Sequence, residues 1–192
     1  NTYSKITDKA SALKSLNLKE GKYILFFGLI RKYKGLDLAI RAMSNKLIVE
    51  KNIKLIIAGE FYDSEQKYQD LIRDLSLKNI IIYNQFIENK QVPDFFSVSN
   101  LVILPYTSAT QSGVTQLAMY YNKPMLVTNV GGLPEIIDHK KDGYISSTNP
   151  EEMSKYILDY FSHDTKEKEM SYNISKKHVS YSWDNFVKKI IK

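Results

Sequence analysis

The stretch from Leu101 to Glu135, LVILPYTSATQSGVTQLAMYYNKPMLVTNVGGLPE, restricts the fold more than any other part of the chain. Its apolar run Leu101 to Leu104 halts at Pro105, which has no N–H to continue a sheet ladder. Small and polar residues follow, Thr107 to Ser112. A helical segment then runs from near Gly113 to Tyr121-Asn122, stopped by Lys123-Pro124. A second apolar run, Met125 to Thr128, leads into Gly131-Gly132-Leu133-Pro134-Glu135, a glycine turn expected to open another helix. Strand, loop, helix and strand in this order make a βαβ unit, whose helical crossover joins parallel strands. The first helical N–H groups, near Ser112, Gly113 and Val114, have no acceptor within the helix and favour a phosphate or carboxylate. The same small residues serve equally well as a plain helix cap.

The rest of the chain repeats the pattern. Residues 4 to 20 are polar, with a helical signal around Ala10 to Leu16, and read as a lead-in helix or linker. Tyr23 to Phe27 is a strand ended by Gly28. Leu36, Ile40, Met43 and Leu47 recur at helical spacing after Gly35. Ile53 to Ala58 is a strand covered on both faces and closed by Gly59. A helix from about Ser64 to Ser76, a third strand at Ile80 to Tyr83 and a short helix at Val92 to Val98 follow, with Pro93 in the first turn of the last. After Glu135, Gly143 to Ile145 is a short strand. Asn149-Pro150-Glu151-Glu152 starts a helix, with Asn149 as cap and Glu152 at the capping-box position. Its stripe is Met153, Ile157, Tyr160 and Phe161. A polar helix spans about Lys166 to Val179, and Ser182 caps a last helix with Trp183, Phe186, Val187, Ile190 and Ile191 on one face. Strands alternating with helices, ending in a helical tail, predict an α/β fold with a doubly wound parallel sheet.

Composition excludes several classes. The 192 residues suit one domain or half of a two-domain protein. No apolar run approaches the ~20 residues of a membrane span, and NTYSKITDKASALK lacks the apolar core of a signal peptide. Without cysteine there is no thiolate metal site, and His139, His163 and His178 show no ligand spacing. The net charge of +6 is spread along the chain and interleaved with acids, which reads as a solvated surface rather than a nucleic-acid interface. It also suits anionic small molecules.

In a doubly wound sheet the ligand lies at the carboxyl ends of the strands. After the first strand comes Gly28-Leu29-Ile30-Arg31-Lys32-Tyr33-Lys34-Gly35. Gly28 admits a ligand to the backbone, and Arg31 and Lys34 offer a planar fork and a point charge suited to a diphosphate. The spacing matches neither a Walker loop nor a Gly-x-Gly-x-x-Gly turn, and a basic surface turn uses the same residues. Gly59-Glu60 follow the second strand. Asn84-Gln85-Phe86-Ile87 follow the third, where Phe86 and free backbone groups suit a nucleobase or simply the core. Four neighbouring strand ends with glycine, cations, a base-binding edge and an anion site point together to a phosphate-bearing nucleotide. No nucleophile–base triad or carboxylate pair is present in the pattern; Asp37, Glu60 and Glu135 are scattered acids.

The segments ILFFGLIRKYKGLDLAIRAM, LIIAGE, VPDFFSVSNLVILPY, SGVTQLAMYYNKPMLVTNVGGLPEII and DGYI, in this order, resemble the C-terminal domain of family 4 retaining glycosyltransferases. The resemblance covers roughly residues 20 to 190. It implies a Rossmann-like domain, the C-terminal half of a GT-B protein, that binds a nucleotide-sugar donor. Residues 1–20 would be a hinge segment, 21–181 the donor-binding domain, and 182–192 an apolar helix facing an N-terminal domain outside these residues. By the same resemblance, Arg31 and Lys34 are the catalytic pair that binds the diphosphate and stabilises the leaving group. Ser112, Gly113 and Val114 offer N–H groups to the phosphates. Gly28, Gly59 and Glu60 line the cleft, and Phe86 and Ile87 border the base. Two departures stand out. Many members place arginine directly after the first glycine, where this chain has Leu29, so Arg31 takes that part. Many carry a Glu-x7-Glu motif whose second glutamate holds the ribose; the aligned places are Ala109 and Leu117, and Gln111 and Gln116 are the nearest polar replacements.

The expected function is sugar transfer with retention from a UDP- or GDP-sugar to an acceptor, an activity that needs both halves of the enzyme. No metal or other cofactor is expected if Arg31 and Lys34 neutralise the diphosphate. The implied partners are the nucleotide-sugar and the N-terminal domain, with no nucleic acid. The implied location is the cytoplasm or the inner face of the membrane, with peripheral association of the full-length enzyme. The alternatives are a UDP-sugar epimerase of the same fold and a degenerate nucleotide-sugar-binding or partner-binding domain without transfer activity.

Overall fold

The computed structural model describes residues 5–163 and 165–180. In chain order the elements are α1 (Lys9–Ser15), β1 (Lys22–Phe27), α2 (Leu36–Ala42), α3 (Lys46–Glu50), β2 (Ile53–Ala58), α4 (Gln66–Asp74), β3 (Ile80–Tyr83), α5 (Val92–Val98), β4 (Leu101–Leu104), α6 (Gly113–Tyr120), β5 (Met125–Thr128), β6 (Gly143–Ser146), α7 (Pro150–Tyr160) and α8 (Lys166–Ser180). Single 3-10 turns lie at Lys32–Lys34 and Pro134–Ile136. The strands form one sheet in the order β3-β2-β1-β4-β5-β6, every pairing parallel. The order reverses between β1 and β4, and the loops leaving these two strands therefore diverge and open a crevice.

The sheet is covered on both faces, which is why its strands read as continuous apolar runs. Alternate residues feed two cores. Leu25, Phe27, Ile56, Val102 and Val127 pack with Phe95, Phe96 and Ala118 on one side. Ile24, Phe26, Leu55, Ile103 and Leu126 pack with Ile40, Met43, Met153 and Ile157 on the other. The lead-in helix α1 is docked on α5, with Ala12, Leu13 and Leu16 buried in the first core. No helix among the described residues is long and apolar enough to cross a membrane.

Local chemistry adjusts the expected elements in three places. The helix after Gly35 is not continuous: the Asn45 side chain accepts from Leu47 N at 3.0 Å and starts a separate α3. That cap turns Leu47 outward, leaving it 52% exposed instead of on the core stripe. The glycine turn at Gly131-Gly132 opens only one 3-10 turn. Gly132 N–H donates to the Thr110 carbonyl at 3.1 Å, and the Asp142 carboxylate accepts from Asp138 N at 2.8 Å, turning the chain away from a helix. Asn149 caps α7 as expected, accepting from Glu151 N at 2.8 Å. Glu152, however, accepts from Ser147 N at 2.8 Å rather than closing a capping box on Asn149. The apolar helix expected from Ser182 onward lies outside the described residues.

Candidate functional site

The two loops that flank the switch point are locked to each other. Pro105 ends β4, and its carbonyl lies where a side chain on Gly35 would begin: a Cβ there would stand 2.0 Å from the Pro105 oxygen. Gly35 also has φ +65°, the left-handed region that glycine adopts without strain. Thr107 donates to the Tyr33 carbonyl through its N–H at 2.8 Å and its hydroxyl at 3.2 Å. The Tyr33 and Tyr106 rings meet edge to face, with centroids 5.8 Å apart. Between these loops and the start of α6 lies an open cavity of about 430 Å³, walled by Phe27, Gly28, Lys34, Tyr106, Gly113 and Leu117 among others.

Lys34 is the electrostatic centre of this cavity. It is only 8% exposed, and no carboxylate among the described residues pairs with it. Its Nζ stands 5.8 Å from the Tyr106 ring centroid and 3.4 Å from where a Cβ on Gly28 would be. Burial first, and the nearby Arg31 guanidinium second, bring its pKa down to about 8. A buried ammonium without an acid is unfavourable, and the natural relief is an anion supplied from outside.

The start of α6 faces the same space. Ser112 caps the helix: its hydroxyl accepts from Val114 N at 3.2 Å and lies 3.1 Å from the Tyr106 hydroxyl. Thr115 N–H is taken by the Ser112 carbonyl at 3.1 Å. The Val114 N–H is thus occupied by the cap, whereas those of Ser112 and Gly113 have no partner among the described residues. Around Gly113 a built Cβ would meet nothing within 4 Å, so neither packing nor backbone strain demands glycine there. It opens the helix end to the cavity.

The expected site residues divide into two groups. Gly28, Lys34, Gln111, Ser112, Gly113 and Val114 line the cavity. Gln111, Ser112 and Gly113 also line a second cavity of about 330 Å³, together with Gln116 and Glu135. The others are not gathered there. The Arg31 guanidinium stacks on the exposed Tyr62 ring at 4.6 Å and is absent from the wall. Gly59 is pressed against Gly28, Ile87 is buried in the core, and Glu60 and Phe86 are exposed beyond their strands. Tyr33 and Tyr106 also line the cavity though their residue types did not mark them, and Leu117, there too, stood out only as the place aligned with the second glutamate of the Glu-x7-Glu motif. Tyr106 had one local signal, its place directly after the proline that ends β4.

The match to known proteins agrees with this architecture. The model of the family described as glycosyl transferases group 1 matches residues 8–177. An uncharacterized glycosyltransferase of Methanocaldococcus jannaschii, MJ1607, is 30% identical over 188 residues, which is 96% of this chain and 47% of that protein. The chain spans about half the length of the curated relatives it matches. Among solved structures, the C-terminal domain of the group 1 glycosyl transferase LpcC from Francisella tularensis superposes with a TM-score of 0.79 at 16% identity, covering 94% of this chain and 97% of that one. Anabaena Alr3699/HepE, solved in complex with UDP and glucose, gives a TM-score of 0.76 at 19% identity, over 88% of this chain and 46% of that one. With its model matched over most of the length, the chain belongs to the glycosyl transferases group 1 family.

Proposed function

We propose that this chain is the donor-binding half of a retaining glycosyltransferase that takes a UDP- or GDP-sugar and passes the sugar to an acceptor. The observation that carries this reading is Lys34, a buried cation with no acid partner, set in the switch-point cavity beside the unbonded Gly113 N–H. Those two groups are a receptor for a diphosphate. Lys34 supplies the compensating charge, and the helix N-terminus supplies a directed donor. Both favour the pyrophosphate more as its negative charge grows on leaving the sugar, which is the requirement for lowering the barrier. Arg31, held on Tyr62 at the rim, adds a second positive charge from outside the wall. Gly28 leaves room for the ligand, while Glu60 and Phe86, exposed beyond β2 and β3, stand outside the cavity wall. Diphosphate charge is met by these side chains without an assigned metal ligand. The complementary N-terminal domain closes the cleft and brings the acceptor, at the cytoplasmic face of the membrane.

Binding without transfer is a second reading, favoured by one observation: among the described residues no carboxylate lines the switch-point cavity. Thermal unfolding of the chain with UDP, GDP and their sugars tests the shared part of both. A ligand at 100 times its Kd stabilises the native state by about 2.7 kcal/mol, a shift of several degrees. No shift with any of these at millimolar concentration contradicts nucleotide binding. A shift that survives Lys34→Ala unchanged contradicts the role given to Lys34.

A further inference from the structure

The wall of the switch-point cavity differs along its length. At one end stand Lys34 and the Gly113 N–H, both suited to phosphate. Four residues further, about 6 Å along α6 and on the same face, stands Leu117. In a nucleotide gripped by its phosphates, the ribose hydroxyls lie roughly that far from the anchored group. What meets them there is apolar: Leu117, Val114 and Phe27. Among the described residues the one side-chain amide in the wall, Gln111, precedes the helix on the opposite side of Ser112 and borders the second cavity as well. The nearest acids are elsewhere. Glu60 is exposed beyond β2 and not in the wall, and Glu135 lines the second cavity. Dinucleotide sites of this architecture that read the 2′-hydroxyl do so with an acidic side chain, because a carboxylate accepts from a sugar hydroxyl and an apolar wall does not.

We propose that this cavity holds a nucleotide by its phosphates and leaves the ribose 2′-hydroxyl unread, so that ribo- and 2′-deoxyribonucleoside diphosphates, and the sugars they carry, are bound alike. The inference rests on the nucleotide-binding reading above and adds the class of donor. A site with an acceptor for a substrate hydroxyl rejects the analogue lacking it, because the acceptor is stranded. The Tyr106 and Ser112 hydroxyls of the wall are engaged with each other at 3.1 Å, and Leu117, Val114 and Phe27 offer no side-chain acceptor, so a 2′-hydroxyl placed beside them strands nothing when it is absent.

The test is calorimetric titration of the chain with UDP and with dUDP, which differ only at the 2′ position. The expected result is a pair of Kd values within fivefold of each other, and a preference for UDP exceeding fivefold in Leu117→Glu. Because Leu117 is half-buried, Leu117→Gln is measured beside it as the uncharged counterpart whose fold is checked by its unfolding transition. More than fivefold preference for UDP in the unmodified chain overturns the inference and leaves nucleotide binding standing. Folded Leu117 variants that still bind both nucleotides equally overturn the placement of the ribose beside this residue. Failure of the folded chain to bind either nucleotide removes the nucleotide reading, and the inference with it.

Discussion

The carboxyl ends of β1 and β4 and those of β2 and β3 carry similar-looking residues, yet they are built for different work. At the β1–β4 end the loops part, a cavity opens, and Lys34 and Gly113 project unmatched polar groups into it. At the β2–β3 end the chain closes on itself. Gly28 N–H donates to the Ala58 carbonyl at 2.9 Å, Ile30 N–H to Glu60 at 2.8 Å, and Gly59 N–H to Tyr83 at 3.1 Å. Gly59 and Gly113 show the contrast most clearly. A Cβ on Gly59 would stand 2.3 Å from the Gly28 oxygen at φ +144°, whereas one on Gly113 would meet nothing. The first glycine is demanded by the fold, and the second is not. Topology makes the difference, since strand order reverses at the first pair and not at the second.

The largest effect that separates the two ends is on stability. Gly59→Ala is expected to lower the unfolding free energy by at least about 3 kcal/mol, combining backbone strain with a clash against an immobile carbonyl. A urea midpoint close to that of the unmodified chain would show that the β2 end yields, and would dissolve the contrast. Next in size is Lys34→Met. Loss of a charge-assisted contact in a desolvated cavity is expected to weaken UDP binding by about 10- to 100-fold. Stability should hold or rise, because an unpaired buried cation is replaced by an apolar chain of similar length. A large drop in stability would instead assign Lys34 to the fold.

A smaller effect follows from titration of the same lysine. Its folded pKa, about 8, lies below the ordinary 10.5, so between these values the unfolded chain binds more protons than the native one. The contribution of Lys34 to unfolding free energy therefore rises with pH from about 8 toward 10.5 and is flat below that window. Anion affinity runs the other way and declines above about pH 8, since only the ammonium form attracts phosphate. Comparing the pH dependence of urea midpoints and UDP affinity in the unmodified chain and in Lys34→Met isolates this residue. A difference that does not change across the window contradicts the assignment. The smallest effect is expected for Arg31→Ala, about threefold in UDP affinity, because Arg31 stands on the exposed Tyr62 ring outside the cavity wall. A loss as large as that for Lys34 would mean that Arg31 leaves Tyr62 to join the bound diphosphate.

The strands were legible in the sequence because all but the half-buried edge strand β3 are largely buried, and each is ended by glycine, proline or a polar turn. The helix starts at Gly113 and Pro150 were legible from their caps. The break at Asn45 was not, since a polar residue in a helical pattern is compatible with either a cap or a solvent-facing position. At the site, Lys34 and the α6 N-terminus were readable from spacing to a strand end. The fate of Arg31 was not: two cations three residues apart look alike in sequence, and only the turn at Lys32–Lys34 sends one inward and the other to Tyr62. Likewise Gly59 and Ile87 sit where a ligand-binding residue would, but pairing across the sheet and packing under α5 claim them. Tyr106 escaped notice because its role arises from a hydroxyl contact to Ser112, a partner that only the folded loop supplies.

The claim that the β1–β4 end is a phosphate receptor is tested most directly by measuring UDP affinity in Gly113→Ala. The added methyl group touches no protein atom within 4 Å, and alanine is the better helix former. The folded chain should therefore be as stable as before or more so, by up to about 1 kcal/mol. UDP binding should nevertheless weaken by about tenfold or more, as the methyl group takes up open cavity space beside the N–H assigned to the phosphate. Unchanged UDP affinity in this variant would contradict the claim.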